Sequence, residues 1–297
     1  MEYAKFKKNF VKQKDGYLFI LPQMILFFVF MIYPIFEGFR MSLYKVDYIS
    51  EKFIGFENYK SLFSDPNFIK SIYNTLIFIG FIVALTVIFG IFVAAALFDK
   101  NTKYISFIRG CYYIPVMVSM VVMSMIWNFL LNPANGLINY IITALGGNRI
   151  NFLGNKNAVM PVVIFVTFTT NVGQAIILYI AAMMGVSNEF LEAAEIDGAT
   201  RWQKIIHILV PLVRPTTLYV LIMNIIAVLK IFIVIQLLTS GGPNYASVTM
   251  MYYLYLKAFS FNQIGEASAI GVIMFLIALV LSVIQFKVLK REEQEGI

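Results

Sequence analysis

Residues 185–211 read GVSNEFLEAAEIDGATRWQKIIHILVP, a polar segment joining uncharged runs at 157–186 and 215–229. Ser187 is placed to accept a backbone N–H and cap a helix, Glu189 and Glu192 sit near that helix's positive end, and Gly198 can turn left-handed and stop it. The pattern predicts a helix over 188–197. Thr200 and Gln203 make a capping box for a second helix, Arg201 to Val210, which Pro211 closes because it has no N–H to continue the ladder. Three-and-four spacing puts Phe190, Ala193, Ala194 and Asp197 on one face of the first helix, where the two alanines allow another surface to approach closely. Such a face suits docking into a groove.

The surroundings of this segment are apolar. Of 297 residues, 60% are hydrophobic and 13% charged, with a mean hydropathy of +0.80; a soluble domain is roughly half apolar and a quarter charged. Uncharged runs lie at 16–36, 76–98, 110–131, 157–186, 215–229 and 267–286. A bilayer span needs about 20 residues. Five runs suffice unaided, and the fifth does so if it tolerates Lys230 and continues to Leu238. The expectation is an all-α polytopic membrane protein with six transmembrane helices at about 17–38, 72–98, 110–131, 158–184, 216–238 and 267–288, and a helical loop at 185–214. No remaining stretch is long and polar enough for a separate soluble domain, so residues 1–297 read as one domain.

Lys and Arg sort by side. With the N-terminus inside, the inside segments carry fourteen basic residues, from Lys5 to Arg291, and the outside segments eight. A cytoplasmic excess predicts that both termini are cytoplasmic. The outside loops then fall near 39–70, 132–157 and 239–265, and the inside loops near 99–109 and 185–214. Orientation accounts for the net charge of +7 without nucleic acid. Lysines at 5, 7, 8, 12 and 14 before an apolar run imitate a secretion signal, but the run's length, Pro22, Pro34 and the lack of a small-x-small cleavage site predict a retained helix.

Several chemistries are excluded. Cys111 is the one cysteine, so no intrachain disulfide forms. His207 is the one histidine, which rules out a His-based metal cluster and a Ser-His-Asp triad. The spans hold no paired carboxylates, and no Gly-x-x-x-x-Gly-Lys-[Ser/Thr] phosphate loop occurs, so the chain is not itself an ATPase by that route and implies no cofactor.

Glu192-Ala193-Ala194, three intervening residues, Gly198, then Ile208 and Pro211 resemble the EAA loop of permease subunits in binding-protein-dependent ATP-binding-cassette importers. Matches to the carbohydrate-uptake branch, of the maltose-F or glycerol-phosphate-A type, run over most of the chain. They include Gly55, Glu57-Asn58-Tyr59, Asn74-Thr75, Thr239, Gly241-Gly242-Pro243, Thr249 and Gly265. The resemblance implies a MetI-like permease fold in a bacterial plasma membrane. It also implies a cytoplasmic ATPase dimer docked on Glu192, Ala193, Ala194, Asp197, Gly198 and Pro211, a second homologous permease, and an extracytoplasmic solute-binding protein. A sugar or oligosaccharide is the implied substrate, with glycerol-3-phosphate or an acidic sugar as the alternative. By composition alone, a secondary transporter is the rival class.

Polar groups inside spans are costly unless they face protein or water. Thr169, Thr170, Asn171, Gln174, Asn224 and Lys230 are therefore the candidates to line a substrate pathway, with Thr169 and Thr170 able to bond back to their own helix instead. Lys230 lies about midway along its span, too deep to reach either interface easily.

Overall fold

A computed structural model describes residues 14–46 and 50–295. Lys5, Lys7, Lys8, Lys12 and both termini, on which the orientation argument draws, lie outside the described residues. The architecture is helical as expected, with one small addition: strands Tyr44–Val46 and Glu51–Phe53 pair antiparallel, Lys45 opposite Lys52.

Four helices are each long and apolar enough to cross a membrane, and two bent pairs raise the number to six. The first runs from Lys14 through a π-helical turn, Phe28–Ile32, to Ser42. The others are Pro66–Leu97, Val159–Met184 and Ile264–Glu295. Val159–Met184 keeps the expected bounds to within a residue, whereas the first helix, the start of Pro66–Leu97 and the end of Ile264–Glu295 run several residues further, because the polar residues that flank an apolar run still form helix.

Two expected spans are not single helices. The run 110–131 is divided into Thr102–Met117 and Met120–Leu130, bent by 94°. Val118 is extended, and the Ser119 hydroxyl accepts the Val121 N–H to start the second piece. Uninterrupted hydropathy carries no mark of that break. The run 216–238 becomes helix Arg214–Leu229, a break at Lys230-Ile231-Phe232, and helix Ile233–Leu238.

Helices Pro66–Leu97 and Val159–Met184 form the central pair and carry two apolar cores, one toward each end. One core gathers Phe68, Phe78, Ile82, Val163, Val166, Val234, Tyr253 and Ile270. The other gathers Val93, Ala94, Ile176, Tyr179, Met183, Ile205, Leu209 and Val220. Helix Thr102–Met117 crosses the pair at Gly173, where a Cβ would lie 2.1 Å from the Tyr112 carbonyl oxygen; only glycine allows the backbones to approach so closely.

The loops partition between the ends as charge counting expected. The 39–70, 132–157 and 239–265 segments meet at one end, 99–109 and 185–214 at the other. At the first end, Lys257 is buried between Glu266 at 2.7 Å and Asp65 at 3.3 Å. Asp65 also caps Pro66–Leu97 by accepting the Asn67 N–H and receives the Tyr253 hydroxyl. Asn74 donates to the Tyr245 and Val248 carbonyls and Thr75 accepts the Met250 N–H, tying the loop to the helix.

Burial pushes the Asp65 carboxyl up, but the Tyr253 hydroxyl, the Asn67 N–H and the Lys257 ammonium outweigh it and hold the group below the usual carboxylate range. A carboxylate depressed on folding contributes stability above its unfolded pKa, about 4 for Asp, and loses it as pH falls through the lower folded value. Acidifying the detergent-solubilised protein below about pH 4 should therefore lower its Tm progressively. Asp65→Asn should start from a lower Tm at neutral pH and lose less on acidification; parallel acid limbs in the two proteins would refute the assignment.

Candidate functional site

The break at Lys230-Ile231-Phe232 decides where polar chemistry can sit. Residues 230 and 231 close tight turns, Lys230 N–H to the Ala227 carbonyl at 3.2 Å and Ile231 N–H to that of Val228 at 3.1 Å, and regular bonding resumes with Gln236 N–H to Phe232 at 2.9 Å. The Ile231 carbonyl would be orphaned, but the Thr249 hydroxyl donates to it at 3.1 Å from a fully buried position. Thr249 also caps helix Met250–Tyr255 by accepting the Tyr252 N–H, and in the preceding turn Thr239 Oγ1 and Ser247 Oγ lie 2.7 Å apart while Ser247 donates to the Gly242 carbonyl at 2.9 Å. The irregular backbone lines a space, as membrane-buried breaks require.

That space is a cavity of about 310 Å³ bounded by Met120, Thr167, Asn171, Lys230, Phe232 and Val234 among others. A second cavity of about 200 Å³ adjoins it, sharing Asn171 and Ala227 and lined by Thr170, Gln174, Tyr219 and Asn224. Five of the six residues expected from sequence, Thr170, Asn171, Gln174, Asn224 and Lys230, thus line these two adjoining, mostly apolar cavities, and Thr169 lines neither.

Their hydrogen bonding differs from the expectation in one respect. The hydroxyls of Thr169 and Thr170 bond back to Val166 and Thr167 at 2.7 and 2.8 Å, as the local alternative allowed. The amides, expected to be harder to satisfy locally, also bond back: Asn171 Nδ2 to Thr167 and Asn224 Nδ2 to Val220, each at 2.8 Å. A short amide reaches the carbonyl one turn earlier; Asn171 Nδ2 also lies 3.4 Å from Thr170 Oγ1, whereas Asn224 keeps its second N–H. Gln174 and Lys230 are exposed and have no hydrogen-bond or ion-pair partner among the described residues.

At the other end the 185–214 loop has the expected caps. Ser187 accepts the Glu189 N–H, helix Asn188–Ile196 follows, and Gly198 at φ +74° lets the Ala199 N–H reach the Ala194 carbonyl at 2.8 Å. Glu192, Ala193, Asp197 and Gly198 are exposed and Ala194 is half-buried, while Leu191 packs inward. Phe190, Ile196 and Trp202 are also exposed, giving this end an apolar, unpartnered face on a short rigid helix.

Pro211 does not close the second helix. The capping box of Thr200 and Gln203 starts it as expected, but it continues through a π-helical turn, Ile205–Leu209, to Leu212, and the chain bends by 63° into Arg214–Leu229. In the wide turn the Val210 N–H reaches back to Ile205, so the following proline neither lacks a required bond nor strikes a carbonyl. The same device precedes Pro34, where Tyr33 bonds back to Phe28.

Two contacts were missed from sequence. Lys204 pairs with Glu195 at 3.0 Å, bracing the two loop helices against each other. Arg201 Nη2 donates to the carbonyls of Ala95, Ala96 and Phe98 at 3.3, 3.1 and 2.8 Å, so the loop caps the end of helix Pro66–Leu97. Unsatisfied carbonyls at a helix C-terminus are a known sink for Arg. Which helix end Arg201 would meet is not encoded locally.

Broken helices around a midplane cavity, with a helical loop presented at one end, define a polytopic transport permease. Residues 86–293 match the family described as "Binding-protein-dependent transport system inner membrane component", more than half of the chain, and the chain belongs to that family. It is thus a multi-pass inner-membrane permease of an ATP-binding-cassette importer, which removes the secondary-transporter alternative. A "Probable ABC transporter permease protein YurN" of Bacillus subtilis is 34% identical over 94% of this chain and 97% of its own length. The "sn-glycerol-3-phosphate transport system permease protein UgpA" of Yersinia enterocolitica is 29% identical over 93% of this chain and 94% of that protein. The "Arabinooligosaccharides transport system permease protein AraP" of Bacillus subtilis is 29% identical over 96% and 91% respectively. Among solved structures, a chain of a bacterial ABC transporter "involved in the import of the acidic polysaccharide alginate" superposes with a TM-score of 0.87 at 26% identity, covering 97% of this chain and 99% of that one.

Removing the Arg201 cap should loosen the end it holds. Arg201→Ala should cost about 1 kcal/mol locally and speed hydrogen exchange at the Phe98 and Lys100 amides, which close the last turn, while exchange near Asn74 stays as in the parent. Unchanged exchange at 98–100 would show that the three contacts carry no load.

Proposed function

We propose that this chain forms one half of the pathway by which an ATP-driven importer moves a sugar, oligosaccharide or related polyol into the cell. The observation that carries the reading is the convergence of Thr170, Asn171, Gln174, Asn224 and Lys230 on adjoining cavities beside a helix break. Amide oxygens and a lysine suit a molecule rich in hydroxyl groups. The relatives named for glycerol-3-phosphate and arabinooligosaccharides, and the structure concerned with alginate, support the same substrate class.

The exposed helix Asn188–Ile196 with Gly198 docks into a cleft of a cytoplasmic ATPase dimer, with Glu192, Ala193, Ala194 and Asp197 in or beside the contact. Pro211 and its π turn set the direction in which the loop meets Arg214–Leu229. The loop end and both termini are then cytoplasmic. ATP-driven closure of the dimer moves the loop, whose two helices are joined by Lys204 and Glu195, and Arg201 makes the loop and helix Pro66–Leu97 move together. A second homologous permease completes the pathway, and the opposite end, with the Lys257 cluster, receives an extracytoplasmic binding protein. ATP hydrolysis belongs to the ATPase subunits.

The test is a mild-detergent pull-down from the native membrane with mass-spectrometric identification of the subunits, made for the parent and for Gly198→Asp. A Cβ at 198 meets nothing within 4 Å inside this chain, and Asp tolerates a left-handed backbone better than most residues. The substitution should therefore leave the chain inserted, yet sharply lower ATPase recovery and abolish uptake. Recovery without any ATPase from the parent, or normal uptake by the variant, would sink the proposal.

A further inference from the structure

Lys230 is the one described residue with a full charge lining either midplane cavity. A lysine in the middle of a span ordinarily survives by pairing with a carboxylate, by bonding carbonyls or by reaching an interface. Here no Asp or Glu lines the cavities, and Lys230 bonds to no carbonyl through its side chain. The helix break explains why the charge is tolerated. Lys230 follows the C-terminus of Arg214–Leu229, whose carbonyl end is negative, and it is exposed at the cavity instead of being packed in a core. A helix dipole offsets only part of a unit charge, so the ammonium still lacks a counter-ion.

The remaining groups narrow the ligand further. Asn171 spends its amide N–H groups on Thr167 and Thr170 of its own helix and has its oxygen to accept from hydroxyl groups, whereas Asn224 spends one N–H on Val220 and keeps both a donor and its oxygen. Gln174 offers both kinds of partner. The cavities thus join amide groups that can pair with hydroxyls to a single cation.

We infer that the substrate is an anionic polyol, a hydroxyl-rich molecule bearing a carboxylate or a phosphate, and that Lys230 is the residue that selects the anion. This rests on the importer reading above and narrows it to one charge class. The specificity is electrostatic: a fixed ammonium in a space of low polarity favours an anion and leaves a neutral sugar facing an unpaired charge.

The experiment uses the complete importer purified from its native membrane, reconstituted with its binding protein outside and ATP inside proteoliposomes. Three labelled probes are compared: sn-glycerol-3-phosphate, trigalacturonate and the neutral trisaccharide raffinose. The parent should take up an anionic probe in preference to raffinose, and which anion it prefers separates phosphate from carboxylate. Lys230→Met should lower that uptake by about tenfold or more, as expected for losing a charged hydrogen bond, with subunit yield preserved, and Lys230→Arg should restore most of it. Preference for raffinose, or uptake of no probe while ATP hydrolysis persists, overturns the anionic inference and leaves the importer reading intact. Full anion uptake by Lys230→Met also overturns it. Loss of the second permease from the Lys230→Met complex would instead make Lys230 an inter-subunit ion-pair partner, which overturns the inference too. Absence of any ATPase from the parent complex is the distinct failure of the importer reading itself.

Discussion

A helix interrupted inside a membrane leaves carbonyl and amide groups that no water reaches, and each orphan costs several kcal/mol. Everything distinctive in this protein follows from how the interruption at Lys230-Ile231-Phe232 is made tolerable. The Thr249 hydroxyl donates to the Ile231 carbonyl, and Thr249 is held in turn as the N-cap of helix Met250–Tyr255, accepting the Tyr252 N–H. The loop after the fifth span is therefore structural support for the break. Because the break is supported from one side only, its other side is free to line a cavity.

The central helix Pro66–Leu97 links the two ends of the molecule. At one end its N-terminus is capped by Asp65, inside a buried cluster with Tyr253, Lys257 and Glu266. At the other its last carbonyls are capped by Arg201 from the exposed loop. A charge buried with its partners fixes geometry because removing any one member strands the others. Between these anchors the two apolar cores are separated by a belt of Thr and Asn side chains. Close-packed cores resist deformation, so relative movement of the two ends concentrates at this belt, where helices are already broken or bent.

Most of the architecture was legible in the sequence because it depends on local signals. Hydropathy placed the spans, charge sorted the loops between ends, and Ser187, Thr200, Gln203 and Gly198 marked the loop helices. What stayed hidden was non-local or silent in hydropathy. The 94° bend at Val118-Ser119 lies inside an unbroken apolar run, since a serine cap is invisible to a hydrophobicity count. Pro211 read as a helix stop because proline removes a bond, whereas a π turn had already removed the need for it. The Arg201 cap joins residues about a hundred positions apart, and no local pattern specifies such a contact.

The candidate site divides along the same line. Which residues would line a cavity followed largely from a burial-cost argument, since a polar side chain in a span must face protein or water; five of the six named residues do so, and Thr169 bonds back to its own helix instead. How they present themselves did not follow, because local carbonyls compete for each donor. That competition shapes the chemistry: both asparagines have spent amide donors on their own helices and the lysine has spent none, so the cavities set amide groups around a single cation. A site with this polarity discriminates by charge before it discriminates by shape, because an unneutralised ammonium in a sheltered space costs more than an imperfect fit of hydroxyl groups.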